Sequence, residues 1–507
     1  MIFDFLRNET AWINHLIVEG AGLTDKEFFE AEISAWKKSR RRKDMFMGER
    51  YYLGDHDIRR RKRTAIGANG ELEEVRNLPN NRTVDNQYAK MVDQKTNYLL
   101  GRPLTFDTDE EGEKEYAGAL KDVFGKQFQR TLRNLGQDCL NSGIGWLHPH
   151  YDEAGNFEIK RFPPHEILPF WADAEHTKLD CAVRLYEVES YVGRTKKSVE
   201  RVEIYTKDGI YYFVLDGGKL KTEGNPDEAY QSHYTVDDQL GEPVPYNWER
   251  VPLVVFRYNA QEQPLIRRIK CLQDSVNVML SDFQNNMQED SRNTILVIKN
   301  YDGENLGEFR RNLAAYGAVK IRTSSEASGG VETLKIDVDA ANYETVLSLL
   351  KKALIENARG YDAKDDRLTT GQANQMNIQS MYSDIDLDAN GMETEYQAAF
   401  EELLWFVNQH FANTGVGDFE GENVTVIFNR DMLVNESQVI EDCQKSAGIL
   451  SEETIVAQHP WVSDAEVELA RIKAEREEEK AENDDYKDAF PDRGGTQNIG
   501  GAADEKQ

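Results

Sequence analysis

Three groups of residues in this 507-residue chain have the types and spacing that chemistry needs. His148-Pro149-His150, with Cys139 upstream, has the look of a metal-binding pair. Asp365-Asp366 and the alternating Asp384, Asp386 and Asp388 are carboxylates of the kind that hold two metal ions in a nuclease. Lys37, Lys38 and Arg40–Lys43, then Arg59–Arg63, form basic clusters that could meet phosphate. Each group also has a plainer reading. A rigid proline between two histidines at the edge of a strand region is more often surface chemistry. Acidic pairs are usually solvated faces in a chain with 91 acidic and 61 basic residues. The basic clusters fit a solvated face or an intersubunit salt-bridge surface as well as they fit phosphate. No G-x-x-x-x-G-K-[ST] cradles phosphate, and neither H-E-x-x-H nor G-x-S-x-G occurs. The residues point to no enzyme site, no metal and no cofactor.

A net charge of −30 argues against a protein that coats nucleic acid by neutralising it. It leaves room for a channel through which DNA slides, where tight binding would be a defect. The hydrophobic (39%) and aromatic (10%) fractions are those of folded domains, and the length suits three or four of them at roughly 150 residues each. Cys139, Cys181, Cys271 and Cys443 stand far apart with no C-x-x-C pair, so reduced thiols in a cytosolic compartment are expected. Asp4, Arg7 and Glu9 interrupt the apolar core that a signal peptide needs. No run approaches the ~20 apolar residues of a membrane span, so no membrane partner is expected.

Hydrophobic spacing organises the rest. Leu265, Ile269, Leu272, Val276, Met279, Phe283 and Met287 recur in steps of three and four, which predicts a long helix with one apolar stripe. Tyr343, Val346, Leu347, Leu350, Ala353 and Leu354 predict a second, stopped by Gly360 as C-cap. Between them a strand–helix–strand–loop–strand pattern fills 294–337. A helix pair with a small α/β module at its far end fits a stalk, and a stalk suggests an assembly.

Residues 1–23, 25–36 and 84–100 read as helices. From about 144 to 256 the period is two, with strands at Ile144–Tyr151, Phe157–Phe162, Ala182–Ser190, Ser198–Thr206, Ile210–Leu215 and Leu253–Tyr258. The fold class is therefore α+β. Residues 361–375 are polar and turn-rich, a flexible loop with Lys364 and Arg367 between two helices. A long helix follows to about His410, then a strand at Val424–Phe428. Ser451 can cap a helix, and Ser463-Asp464-Ala465-Glu466 is a capping box. Residues 482–507 lack apolar periodicity, and disorder is expected there.

The order of these segments resembles the portal proteins of tailed double-stranded-DNA bacteriophages, closest to the siphophage subtype of Gram-positive hosts. Tyr51-Tyr52-Leu53-Gly54-Asp55-His56-Asp57-Ile58 is similar to an early family segment. So are Asn80-Asn81 with Val84, Met91-Val92-Asp93-Gln94-Lys95, and Tyr98 through Pro103. Val251-Pro252-Leu253 to Phe256, then Leu272-Gln273-Asp274 with Asn277 and Ser281, resemble the entry into the stem. Phe428-Asn429-Arg430, Gly448-Ile449-Leu450-Ser451 and Glu453-Thr454 resemble the crown entry. No single segment is specific; their joint order is.

The resemblance implies a portal fold: an N-terminal region and α+β wing (1–263), stem helix 1 (264–290), a small α/β clip (291–338) and stem helix 2 (339–360). It continues with a tunnel loop (361–375), a long helix and returning wing strand (376–430), a helical crown (431–481) and a disordered tail (482–507). It implies a ring of about a dozen subunits at one capsid vertex. Double-stranded DNA would pass through the channel during packaging and ejection. The terminase large subunit and a head-completion adaptor would dock on the clip, and major capsid and scaffolding proteins would be further partners. The protein would lie in the virion, and in the host cytoplasm during assembly. Lys364, Arg367, Thr369, Thr370, Gln372 and Asn374 would face DNA. Leu265, Ile269, Leu272, Val276, Met279, Phe283, Val346 and Leu350 would form the stem and oligomer interface. Glu304, Glu308, Arg310 and Arg311 would serve docking. The competing readings are a DNA-binding adaptor using Arg59–Arg63 and a nucleic-acid-processing enzyme.

Overall fold

The computed structural model describes residues 25–66, 70–75, 78–108, 114–192, 194–222, 229–237, 242–290, 295–299, 330–334, 340–362, 375–419, 421–422, 424–430, 436–462, 465 and 467–477. The chain divides into two compact units, Met1–Asp362 with Tyr382–Asp431, and Ala363–Met381 with Met432–Gln507.

The first unit begins with α1 (Asp25–Lys38), which buries Phe28, Phe29, Ile33 and Trp36 on one stripe. Ser39 ends α1 and caps α2 (Arg40–Tyr52) by accepting the Arg42 N–H at 3.1 Å. A small hairpin follows, β1 (Thr64–Ile66) with β2 (Leu72–Glu74). Asn86 then caps α3 (Gln87–Leu100) by accepting the Ala89 N–H at 2.9 Å. After β3 (Thr105–Thr108) come α4 (Lys114–Val123) and α5 (Lys126–Ser142). Gly143 terminates α5 at φ 85, and a Cβ there would lie 2.1 Å from the Glu262 carbonyl oxygen.

The period of two then produces β4 (Ile144–Tyr151), β5 (Phe157–Phe162), β6 (Ile167–Trp171), β7 (Leu179–Val192), β8 (Thr195–Thr206), β9 (Gly209–Asp216) and β10 (Lys219–Lys221). Strands β6 to β10 pair consecutively and antiparallel, and β11 (Tyr230–Gln231) adds to β9. Alternation sorts this sheet's two faces. Cys181, Val183 and Leu185 meet Phe28, Phe29 and Ile33 of α1. Ala182 and Tyr205 instead join a second core with Trp36, Trp146, Trp171 and Val255. Truncating an aromatic such as Phe29 at such a site costs about 3–5 kcal/mol. After β12 (Tyr234–Asp237) and β13 (Pro243–Tyr246), β14 (Val254–Arg257) pairs with β4, and β4 with β5.

The long helical period is α6 (Ile266–Asp290), about 37 Å of helix. Beyond it β15 (Ile295–Lys299) pairs antiparallel with β16 (Gly330–Leu334), and α7 (Ala340–Asn357) runs back along α6. Phe283 and Tyr343 meet across the two helices, ring centroids 5.0 Å apart. α8 (Gln375–Thr414) is followed by β17 (Val424–Ile427), which pairs antiparallel with β3. The result is the α+β class read from the periods, with antiparallel sheets throughout this unit.

In the second unit, α9 (Glu436–Ser446) packs with α10 (Glu452–Gln458). Ser451 caps α10 through the Thr454 N–H, and Arg476 pairs with Glu452.

One local expectation is corrected. Gly360 does not supply the left-handed residue that ends α7; Arg359 does, at φ 53. The Arg359 N–H donates to Glu356 and the Gly360 N–H to Ile355, each at 3.0 Å, which is a Schellman closure. Glycine at 360 leaves room for neighbouring side chains: a Cβ there would lie 2.6 Å from Met91 Sδ and 2.8 Å from Gln94 Oε1, and both would have to move aside. The helix expected at 304–315, the strand at 318–322, the segment 1–23 and the tail 482–507 lie outside the described residues.

Candidate functional site

α6 decides what the chain can do, because its faces are divided differently from the apolar pattern. Leu265, just ahead of the helix, is fully buried inside the chain, as are Ile269 and Val276, leaving no surface for a neighbour. Leu272, Met279 and Phe283 are half-buried, and Met287 is 54% exposed. The row that α6 turns inward along the rest of its length is polar. Gln273, Asn277, Ser281 and Asn285 recur every four residues, and all are buried.

A buried amide or hydroxyl must find partners. These four find them on the extended segment that precedes α3 and on the first turn of α3. The backbone N–H groups of Tyr88, Asp85, Thr83 and Asn81 donate to Gln273 (2.8 Å), Asn277 (3.0 Å), Ser281 (3.0 Å) and Asn285 (2.7 Å). The match is geometric. Four helical residues rise about 6 Å, and two extended residues about 6.6 Å, so the alternate N–H groups of Asn81, Thr83 and Asp85 meet successive turns of the helix, and Tyr88, in the first turn of α3, meets the remaining one.

The ladder joins a polar hub. His56 faces Asn277 at 2.8 Å and the Tyr51 carbonyl at 2.9 Å, and the Tyr51 hydroxyl donates to Asp274 at 2.6 Å. Burial holds His56 below its ordinary pKa, so both rings of the stacked Tyr51–His56 pair are neutral at physiological pH. The segments around Tyr51, Asn80, Met91 and Gln273, separate in sequence and each unspecific alone, therefore meet in one place.

α7 joins the same segment. Lys351 pairs with the Asp85 carboxylate at 2.7 Å, so Asp85 is bound to both helices. The outer face of α7 carries Val346, 41% exposed, and Leu349, 63% exposed, while Leu350 is half-buried. α7 thus presents apolar side chains that stay partly exposed among the described residues.

At the root of the pair sits a buried ionic cluster that sequence reasoning missed. Lys95 Nζ lies 2.7 Å from Asp388, Arg268 lies 3.1 Å from it, and the Tyr258 hydroxyl donates to it at 2.7 Å. Burial pulls Lys95 down to about 8, against the Asp388 charge that raises it. Burial would push Asp388 up, but Lys95 and then Tyr258 and Arg268 outweigh it, and the carboxylate stays ionised. Asp388 belongs to the alternating aspartates; its partners are cations of the same chain, and Asp386 likewise pairs with Arg430 at 2.6 Å.

The other chemical candidates are also absorbed by the fold. His148 is buried, donates from Nδ1 to the Pro252 carbonyl at 2.6 Å, and is held at about 3 by burial. Lys37 pairs with Glu200 at 2.6 Å, Arg41 with Glu262, Arg60 with Asp55 at 2.6 Å and Arg61 with Asp282 at 2.9 Å. These basic residues face carboxylates of their own chain. Lys364, Arg367, Thr369, Thr370, Gln372 and Asn374 lie outside the described residues, as do Glu304, Glu308, Arg310 and Arg311. Among the described residues no group of three or more His, Cys, Asp or Glu is placed to hold a metal ion, and no helix is long and apolar enough to cross a membrane.

Residues 34–482 match the family described as phage portal protein, SPP1 Gp6-like. The chain is 30% identical over 485 residues to the portal protein of Bacillus phage SPP1, covering 94% of this chain and 92% of that one. It is 28% identical over 460 residues to the portal protein of Clostridium phage phiCD119, covering 88% and 96% respectively. The chain belongs to the SPP1-like phage portal protein family.

Proposed function

We propose that this member of the portal family forms a ring of about a dozen copies at one capsid vertex and conducts double-stranded DNA through its centre during packaging and ejection. The observation that carries the ring is the exposed apolar face of α7, with Val346 and Leu349. A head-to-tail ring supplies the missing cover, because each copy offers that face to the next.

The role is structural and not catalytic. DNA would pass residues 361–375, where Lys364, Arg367, Thr369, Thr370, Gln372 and Asn374 supply weak contacts repeated around the ring. A charge of −30 per chain, multiplied by the ring, favours passage over adhesion. The segment between α6 and α7, with Glu304, Glu308, Arg310 and Arg311, would dock the terminase large subunit and later the head-completion adaptor. Stem, clip, tunnel loop and crown would follow the boundaries given by the resemblance. Capsid and scaffolding proteins complete the partners, and assembly occurs in the host cytoplasm.

The test is the mass of the purified native particle. A value near a dozen times 58.1 kDa supports the ring. A monomer that stays a monomer at high concentration and with capsid proteins present rejects it in favour of an adaptor. That adaptor would bind DNA stoichiometrically, with an affinity falling steeply in salt.

A further inference from the structure

One face of α3 holds both ends of the chain that leaves the helix pair and returns as α8. Met91, Gln94, Lys95 and Tyr98 share that face by their spacing of three and four. On the outgoing side Gln94 pairs its amide with Tyr361, donating to the carbonyl at 2.9 Å and accepting the N–H at 3.0 Å. Lys95 donates to the Arg359 carbonyl at 3.0 Å, and Met91 fills the space that Gly360 leaves open. On the returning side Tyr98 donates to Asp386 at 2.5 Å and stacks on Tyr382, and Lys95 reaches Asp388. The rings of Tyr361 and Tyr382 are 4.5 Å apart, so the chain comes back beside the point where it left.

We infer that Gln94, Lys95 and Tyr98 are positioning residues for the segment between Tyr361 and Tyr382, fixing both of its ends to the wing side of the fold. The division of labour is specific. Gln94 holds the outgoing end, Tyr98 the returning end, and Lys95 both. The left-handed Arg359 supports this reading: a non-glycine residue keeps φ 53 only where its surroundings impose it, and here its carbonyl is taken by a buried ammonium. The consequence for DNA passage rests on the reading of 361–375 as the channel loop. Without two fixed ends, a loop in each copy of a ring could not present its contacts at one radius.

The experiment is amide hydrogen exchange on the native full-length particle, followed by DNA packaging with the same variants. Lys95→Met should speed exchange about tenfold in peptides covering both 358–362 and 382–390, leaving β4 protected. Gln94→Ala, which removes both hydrogen bonds to Tyr361, should act on the first peptide, and Tyr98→Phe, which removes one to Asp386, on the second, each by about five- to tenfold or more. No change at either end with Lys95→Met overturns the inference. Faster exchange everywhere, β4 included, also overturns it, because Lys95 would then be a core residue without a positioning role. If exchange rises at both ends, rings keep their mass and packaging falls, both the positioning and the channel reading stand. If exchange rises and packaging is unchanged, the positioning stands and the channel reading of 361–375 falls.

Discussion

The backbone N–H of Asp85 donates to the side-chain oxygen of Asn277 at 3.0 Å, joining residues that lie 192 positions apart in sequence. Gln273 takes the carbonyl of the same Asp85 at 2.7 Å, and Lys351 takes its carboxylate at 2.7 Å. One residue of an extended segment is thereby tied to both long helices. The helix pair cannot tilt or slide against this segment without breaking several hydrogen bonds together.

Removing a rung should be expensive, because the backbone N–H and the histidine nitrogen that meet the buried amide lose their partner together. Asn277→Leu strands Asp85 and a nitrogen of His56, and should destabilise the fold by about 1–3 kcal/mol. Gln284, exposed on the same helix, accepts from the Thr83 hydroxyl, and Gln284→Leu should stay within about 0.5 kcal/mol. Thermal melting compares them, and equal midpoints for the two variants would sink the ladder.

Gly143 is required twice over, by its φ of 85 and by the Glu262 carbonyl that a Cβ would strike. Gly143→Ala should lose more than the roughly 1 kcal/mol of a left-handed alanine, since backbone and not a flexible side chain must move. Soluble yield and melting midpoint report it. A variant as stable as the parent means that the turn between α5 and β4 can relax freely.

Glu262 gives a pH signature. It sits at φ 52, opposite His176 at φ 61, and accepts from His176 at 2.9 Å. Burial would raise its carboxyl, but His176, Arg41 and Arg257 outweigh it and hold the group at about 2, below the ordinary glutamate value of 4.5. A depressed carboxylate stabilises the fold above the unfolded value and ceases to as pH falls toward the folded one. The contribution should be on the order of 2–3 kcal/mol above pH 4.5 and vanish by about pH 2. Glu262→Gln should lower the melting midpoint at pH 7, with the gap to the parent closing in acid. A gap that is constant from pH 7 to pH 3 would contradict this.

Period carried most of the fold class. The alternation of Cys181, Ala182, Val183 and Leu185 between two cores is visible in sequence because a half-buried strand must alternate. α6 announced itself as a helix for the matching reason, yet its apolar residues misled about its faces. Leu272 and Met279 are only half-covered, while Gln273, Asn277, Ser281 and Asn285 point inward. Hydrophobicity cannot rank a buried amide above a half-buried leucine. The strict step of four among short polar residues was the available signal. The Lys95–Asp388 pair spans 293 positions and carried no local mark, since a lysine on a helix and an aspartate in an acidic run look solvated.

Substitutions on the helix pair should therefore separate folding from assembly. Val276 is fully buried, and Val276→Asp puts an unpaired charge into the chain's own interior. That should remove several kcal/mol, and soluble protein with it. Val346 and Leu349 are exposed in the single chain, so Val346→Asp and Leu349→Asp should leave melting of the chain within about 0.5 kcal/mol of the parent. In the proposed ring the same positions would face a neighbour, and a charge there would be buried at every interface. Native mass spectrometry should find these two variants as folded monomers or open fragments in place of closed rings. Closed rings of parental mass from both would mean that the outer face of α7 is not the contact. The half-buried Leu272, Met279 and Phe283 would then be the next side chains to charge, one at a time, under the same pair of measurements.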